Sequence, residues 1–348
     1  VDQKSYERRK RDHLQLALRP ENEARGLTGL DSIVLEHEAL PDLDFEEISL
    51  SSTILGNPSK TPFFIAAVTA GFAGASEINM TFARACQKTG WALGIGSQRS
   101  ELEAGPDASA WKLIREAAPD VLLMANIGAS QLATADIEKI HDLLAVMRAK
   151  ALVIHANPLQ ECLQPEGTAQ FKGTTGRISA LCRELGLPVV LKETGCGFST
   201  ATLKRLSGAG LAAIDISGLG GTHWGRIESA RAGSIKDHIK SSAGTTFATW
   251  GIPTVESLQN AVHALPGTEL WASGGVRSGL DAAKLIAMGA SQTGFARPAL
   301  EAAMAGAEKL VEWMKTREYE LKTALFCTGC RNPDVLGKKE NVWKTKCN

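Results

Sequence analysis

Ala151-Leu-Val-Ile154, running straight into His155-Ala-Asn157-Pro-Leu-Gln160-Glu161, decides how the chain folds. The four apolar residues read as a strand buried on both faces, as in parallel sheets. The polar residues that follow serve no packing purpose and belong to the turn after that strand. With Pro165-Glu166-Gly167 they crowd an imidazole, two amides and two carboxylates together. Such a group suits a hydrated magnesium ion and an anionic substrate. A solvated loop with one satisfied histidine is the alternative for this cluster taken alone.

The same unit recurs along the chain. Short apolar runs cover Phe63 to Val68, Trp91 to Ile95, Val121 to Ala125, Ala151 to Ile154, Pro188 to Leu191, Ala212 to Ile216, Glu269 to Ala272 and Gln292 to Phe295. Helical spacing fills the gaps, clearest in Ile137, Ile140, Leu143, Leu144 and Met147. Most repeats span roughly 30 residues, the length of a strand, a crossover helix and two turns. Eight such units predict a closed (β/α)8 barrel. An open doubly wound sheet is the alternative, though it seldom uses eight successive units of similar length. Residues 1–60 precede the first run and read as an N-terminal extension over the barrel, with 61–348 as a single barrel domain. The sixth unit is stretched: a polar segment runs from Ser217 to Thr246, and a helix is expected only after Trp250-Gly-Ile-Pro253. Loops of that length are usually lids or binding loops.

Composition bounds the function. The 348 residues are 44% apolar and 22% charged, as in a globular protein with a sizeable core. Lys plus Arg number 38 and Asp plus Glu number 38, so no global field points to nucleic acid or an acidic membrane. No apolar run approaches a membrane span, and the charged N-terminus lacks a signal core. Seven scattered cysteines fit reduced thiols and a cytoplasmic location. Cys327-Thr-Gly-Cys330 is weak as a zinc site without a second pair, and Cys347 is a poor third ligand; buried thiols are the plainer reading. Cys196 likewise reads as a packed thiol.

Any anion site must therefore be local, and the ends of strands seven and eight supply one. Ser273-Gly274-Gly275-Val276-Arg277-Ser278-Gly279 opens a helix over 280–288, and Gly294-Phe-Ala296-Arg297-Pro298 opens another. Glycines let backbone N–H groups approach an anion, and a helix N-terminus adds partial positive charge. A lone glycine turn is weak, but two at these barrel positions point to a phosphate. Lys192 ends strand five, where burial is costly unless it faces an anion such as a reduced flavin ring. A structural Lys192–Glu193 or Lys192–Asp215 pair is the alternative. Asn126 and Thr69 add neutral groups at the same rim.

The whole pattern resembles the FMN-dependent type 2 isopentenyl diphosphate isomerases. The resemblance spans nearly the entire chain: Arg9-Lys10-x-x-His13, Val68-Thr69-Ala70-Gly71, Gly96-Ser97-Gln98-Arg99, Asn126-Ile-Gly, His155-x-Asn157-x-x-Gln160-Glu161, Lys192-Glu193, Ser217-Gly-x-Gly-Gly-Thr222, Trp250-Gly-Ile-Pro-Thr and Ser273-Gly-Gly-x-Arg277-x-Gly. It implies a 1,3-proton shift between isopentenyl and dimethylallyl diphosphate, with reduced FMN as acid and base, magnesium on the diphosphate and NADPH or NADH as reductant. It further implies Arg9, Lys10 and His13 at the substrate diphosphate, with Ser97 and Arg99 touching diphosphate and flavin. His155, Asn157 and Gln160 would line the substrate pocket, with Lys192 beside the flavin as a further catalytic residue and Glu161 holding magnesium. Ala67, Val68, Thr69, Asn126, Lys192, Ser217 and Thr222 would touch the flavin, and Gly274, Gly275, Arg277, Ala296 and Arg297 would close on its phosphate. A homotetramer or larger assembly is implied too. The family usually reads Met-Thr-Gly-Gly where this chain has Val68-Thr69-Ala70-Gly71, so Ala70 adds a methyl beside the flavin. Two alternatives remain: an FMN-dependent oxidoreductase of the hydroxy-acid oxidase or dihydroorotate dehydrogenase type, and a flavin-binding paralogue without turnover.

Overall fold

A helix, α1 (Gln3–Ala17), precedes eight parallel strands: β1 (Phe63–Ile65), β2 (Ala92–Gly94), β3 (Leu123–Gly128), β4 (Ala151–Ala156), β5 (Val189–Glu193), β6 (Ala213–Asp215), β7 (Glu269–Ala272) and β8 (Gln292–Phe295). They pair in chain order and close by β8 against β1, the (β/α)8 barrel expected from the repeats. This computed structural model describes residues 3–68, 73–104, 108–132 and 135–346.

Alternation along the strands decides what faces where. Phe64, Ala92, Met124, Ala151, Val153, Val190, Ala213 and Trp271 pack as one buried cluster inside the barrel. Their neighbours Phe63, Ile65, Leu93, Leu123, Leu152, Ile154, Leu191 and Ile214 join the larger core between barrel and helices. Two residues beyond the inner layer, the same faces carry Ala66, Gly94, Asn126, His155, Lys192, Asp215, Ser273 and Gly294. The apolar floor thus gives way, one layer higher, to polar side chains on one side and small residues on the other. Register aligns them: Gly128 sits across from His155, His155 from Lys192, and Lys192 from Asp215. Strands β3, β4 and β5 run past their apolar residues into this polar layer, which is why they end later than hydrophobicity alone predicts.

The barrel's other end is closed by a hairpin of Ser52–Ile54 and Asn57–Ser59, whose Ile54 joins the inner cluster. Glu269 accepts from Leu55 N–H and Trp271 Nε1 there. Residues 1–60 and 61–348 are stitched together, because Ile33–Leu35 pairs antiparallel with Trp343–Thr345.

The stretched sixth unit departs from expectation. Instead of a polar segment up to Thr246, it holds two helices, which we label with the short helix after β4 in chain order: α2 (Pro158–Leu163), α3 (Trp224–Ser234) and α4 (His238–Thr246). No apolar stripe betrays α3, since the face it buries carries Glu228 and Arg231. The six described cysteines are free; Cys330 is buried but Cys327 only half so, and Cys347 lies outside the described residues. Among the described residues, no helix is long and apolar enough to cross a membrane.

Candidate active site

One cavity of about 1490 Å³, open mouth included, occupies the C-terminal end of the barrel. Arg9, Lys10 and His13 reach it from α1; Ala67, Val68, Ser97, Arg99, Asn126, His155 and Lys192 from the first five strand ends; Asn157, Gln160 and Glu161 from the turn into α2. Ser217 and Thr222 line it after β6, and Gly274, Gly275, Arg277, Ala296 and Arg297 after β7 and β8. Every expected site residue thus meets in one place except Thr69, which lies outside the described residues, as do Ala70 and Gly71.

On the β3–β6 side the cavity is walled by side chains. His155 Nδ1 lies 2.9 Å from Asn126 Oδ1. Burial, with the Lys10 and Lys192 ammoniums acting on it, holds the imidazole down at about 3, so it is neutral near pH 7. Lys192 Nζ lies 3.2 Å from Asp215 Oδ2 and donates to the Glu193 carbonyl at 2.8 Å. Ser273 Oγ donates to the same Asp215 carboxylate at 2.7 Å. The Lys192–Asp215 pair therefore exists, and Lys192 nonetheless faces the cavity; its two readings are compatible. Glu193 turns away and caps the next loop. Its Oε2 accepts from the N–H groups of Thr194, Gly195, Cys196 and Gly197, while burial pushes its carboxyl up to about 7 against those donors.

The turn after β4 is a self-bracing corner. Asn157 Nδ2 donates to Gln160 Oε1 at 3.0 Å and to Glu161 Oε1 at 3.1 Å, and Thr168 N–H donates to Glu161 Oε2 at 2.6 Å. Pro158 sits at the start of α2, where its fixed φ suits a helix beginning. Asn157 Oδ1 is buried with no hydrogen-bond partner, an acceptor left over on the amide whose Nδ2 holds Glu161. That oxygen and the Glu161 carboxylate are hard oxygen ligands of the kind a hydrated cation takes, with its other ligands from substrate and water. Among the described residues there is no group of three or more His, Cys, Asp or Glu side chains that would cage a metal alone.

Glu228, which the sequence reading missed, ties this corner to the N-terminal arm. Gln160 Nε2 donates to its Oε1 at 3.1 Å, and His13 Nε2 stands 2.7 Å from the same oxygen. Arg231, one helical turn on, meets its Oε2 at 2.5 Å and reaches Glu166 at 3.0 Å. Burial opposes the charge on Glu228, but His13 and Arg231 outweigh it and hold the carboxyl at about 2. Burial in turn pushes the His13 imidazole below its ordinary value, against the pull of Glu228. Lys10 is brought down to about 8, first by burial and then by the adjacent Arg9.

The β7–β8 side is built mainly of backbone. Gly274 and Gly275 have φ of +96° and +75°, and a Cβ on either would come within 2.5 Å of a carbonyl oxygen in the 218–220 loop. The helix beginning at Gly279, α5 (Gly279–Ala287), does not offer its first N–H groups as expected. Asp281 accepts from Arg277 and Ser278, and Glu320 from Gly279. The cradle facing the cavity is instead Gly274 to Val276, together with the start of α6 (Arg297–Met304). Small inner-layer residues, a lysine on one wall and a glycine cradle on the other fit a flavin with its phosphate.

Comparison with known proteins agrees with this geometry. Residues 137–344 match the family described as FMN-dependent dehydrogenase. An isopentenyl-diphosphate delta-isomerase of Legionella pneumophila subsp. pneumophila is 51% identical over 334 residues, 96% of this chain and 97% of the relative. Those of Bdellovibrio bacteriovorus and Halobacterium salinarum are 48% and 40% identical, covering 96% and 98% of this chain and 97% and 94% of theirs. Mandelate oxidase in complex with 2-hydroxy-phenylacetamide superposes with a TM-score of 0.66 at 21% identity, covering 100% of this chain and 99% of its own, a likeness of fold alone.

Proposed function

Because this chain belongs to the FMN-dependent isopentenyl-diphosphate delta-isomerase family, we propose that its N-terminal arm, the His155–Glu161 turn and Lys192 divide the 1,3-proton shift among them. One observation carries the division of roles: His155 and Lys192 stand side by side in register, facing a cavity whose lid is the arm bearing Arg9, Lys10 and His13.

Arg9 and Lys10 take the diphosphate through charge-assisted hydrogen bonds, with Ser97 and Arg99 alongside. Glu161 and the leftover Asn157 oxygen would hold magnesium, whose positive charge would offset the negative charge of the diphosphate. Neutral His155 and the amides of Asn157 and Gln160 position the alkene, and Gln160 is fixed by Glu228. When bound and reduced, FMN supplies a ring nitrogen that exchanges a proton and an electron-rich face toward positive charge on the alkene. Lys192 stabilises that reduced ring, and Asp215, 3.2 Å away, holds its ammonium in place. The arm excludes water while charge develops.

NADPH or NADH serves as reductant in this scheme. A cytoplasmic setting is supported by the free cysteines. A homotetramer or larger assembly is supported by the exposed Ile239 and Trp250 around α4. The oxidoreductase and non-catalytic alternatives give way to the full-length isomerase relatives.

The scheme is tested by incubating anaerobically reduced holoprotein with isopentenyl diphosphate and magnesium in deuterated water. Deuterium in the dimethylallyl product, formed only after flavin reduction, is expected. Equal turnover with oxidised flavin would refute it.

A further inference from the structure

The two arginines expected on the flavin phosphate meet a carboxylate of the protein's own. Arg277 Nη2 lies 2.5 Å and its Nε 3.1 Å from Glu23 Oε1, while Arg297 Nη1 lies 3.3 Å from Glu23 Oε2. The remaining contacts of Arg277 go to the Gly275 and Gly220 carbonyls, and Arg297 also holds the Leu18 carbonyl and Glu301. Glu23 lines the cavity and belongs to the strap that follows α1. That strap is stitched to the loop after β6: Glu23 bridges Thr222, Ala24 N–H donates to the Gly221 carbonyl, and Arg226 holds the Glu23 carbonyl.

From this arrangement we infer that Glu23 is a positioning residue, a latch that holds the substrate arm shut through the cofactor cradle's own arginines. Arg277 and Arg297 would serve both the latch carboxylate and the flavin phosphate, besides Glu301 on Arg297 and the exposed Arg25 standing 3.8 Å from Glu23. The anions repel each other and share the same partners, so the arm's closure and the grip on the phosphate are set against one another. Gripping by backbone N–H at Gly274 and Gly275 lets the cradle keep its cofactor while its arginines are engaged elsewhere. The consequence for substrate rests on reading Arg9 and Lys10 as diphosphate ligands; the latch itself does not.

The test compares wild-type, Glu23→Gln and Glu23→Asp holoproteins. Three readouts are followed: flavin release on dilution after loading with FMN or with riboflavin, tryptic cleavage within Arg8–Arg11, and the KM for isopentenyl diphosphate against kcat. Losing the carboxylate is expected to tighten FMN by roughly threefold and leave riboflavin unmoved. Cleavage of α1 and KM should both rise roughly tenfold, the loss of one charge-assisted contact, with kcat changing far less. Glu23→Asp should recover most of the protection. Weaker FMN binding, as a merely structural role would give, overturns the latch, and so does a helix cut no faster than wild type. A loosened helix with unchanged KM would leave the latch standing and count against the diphosphate assignment alone.

Discussion

The two sides of the cavity are made of different materials. From β3 to β6 the wall is side chain: Asn126, His155, Lys192 and Asp215 stand in neighbouring registers, each braced by another. From β7 to β8 it is main chain, with Gly274 and Gly275 pressed against the carbonyls of the loop after β6. Chemistry that depends on charge and protonation needs groups that titrate, so it falls to the first side. On the proposed scheme, a phosphate that must simply stay bound is served by the amide dipoles of the second side, which do not titrate. The first side should therefore respond to pH and to isosteric substitution, and the second to added volume.

The sharpest way to break this contrast is Gly274→Ala. Its Cβ would come to 2.2 Å from the Gly218 oxygen at a φ of +96°. Strain and overlap together should cost about 3 kcal/mol, roughly a hundredfold in cofactor retention. The protein should purify nearly colourless yet folded, as judged by flavin absorbance against circular dichroism. Retained yellow colour would show that the backbone side has slack. A smaller effect is expected from Glu161→Gln on the opposite wall. Magnesium-dependent substrate binding should weaken by about tenfold while flavin stays bound, since one charged metal contact is lost and the amide oxygen keeps only one of the two hydrogen bonds Glu161 accepts. Flavin loss would mean that the two sides are not separable. The smallest effect concerns Lys10. Its folded value of about 8 is depressed, so its charge is present below that pH and lost above it. The kcat/KM profile should fall only about threefold over the next pH unit, because the Arg9 and Arg99 guanidiniums share the diphosphate with Lys10, and Lys10→Arg should abolish the break.

Much of this is legible in the amino-acid sequence itself. Glu269–Ala272 and Gln292–Phe295 are strands with the same bounds as their apolar runs, and the helix through Ile140, Leu143, Leu144 and Met147 is buried along that stripe. Such elements bury hydrocarbon, which periodicity reports. The lining residues at the strand ends were legible because they follow their strands in sequence, whereas Arg9, Lys10 and His13 on α1 came only from the family resemblance. Helix α3 was not, because its inward positions include an ion-paired glutamate and arginine that interrupt any apolar stripe and are indistinguishable in sequence from a solvated face. Nor were Glu228 or Glu23 as partners. His13 and Glu228 lie 2.7 Å apart in space, and nothing local in either stretch announces the other. The first N–H groups of α5 also misled, since whether a helix start is free depends on distant Glu320 as much as on its own cap.

The pairing of Ile33–Leu35 with Trp343–Thr345 has a bearing on how the polypeptide is made. As the chain leaves the ribosome, Ile33–Leu35 has no strand partner until Trp343–Thr345 has been translated. His13 must wait for Glu228, and Glu23 for Arg277 and Arg297. Early barrel units are able to nucleate meanwhile, but the arm settles last, onto a wheel already closed. A nascent chain stalled before residue 277 would expose the arm to degradation however well its first strands had assembled.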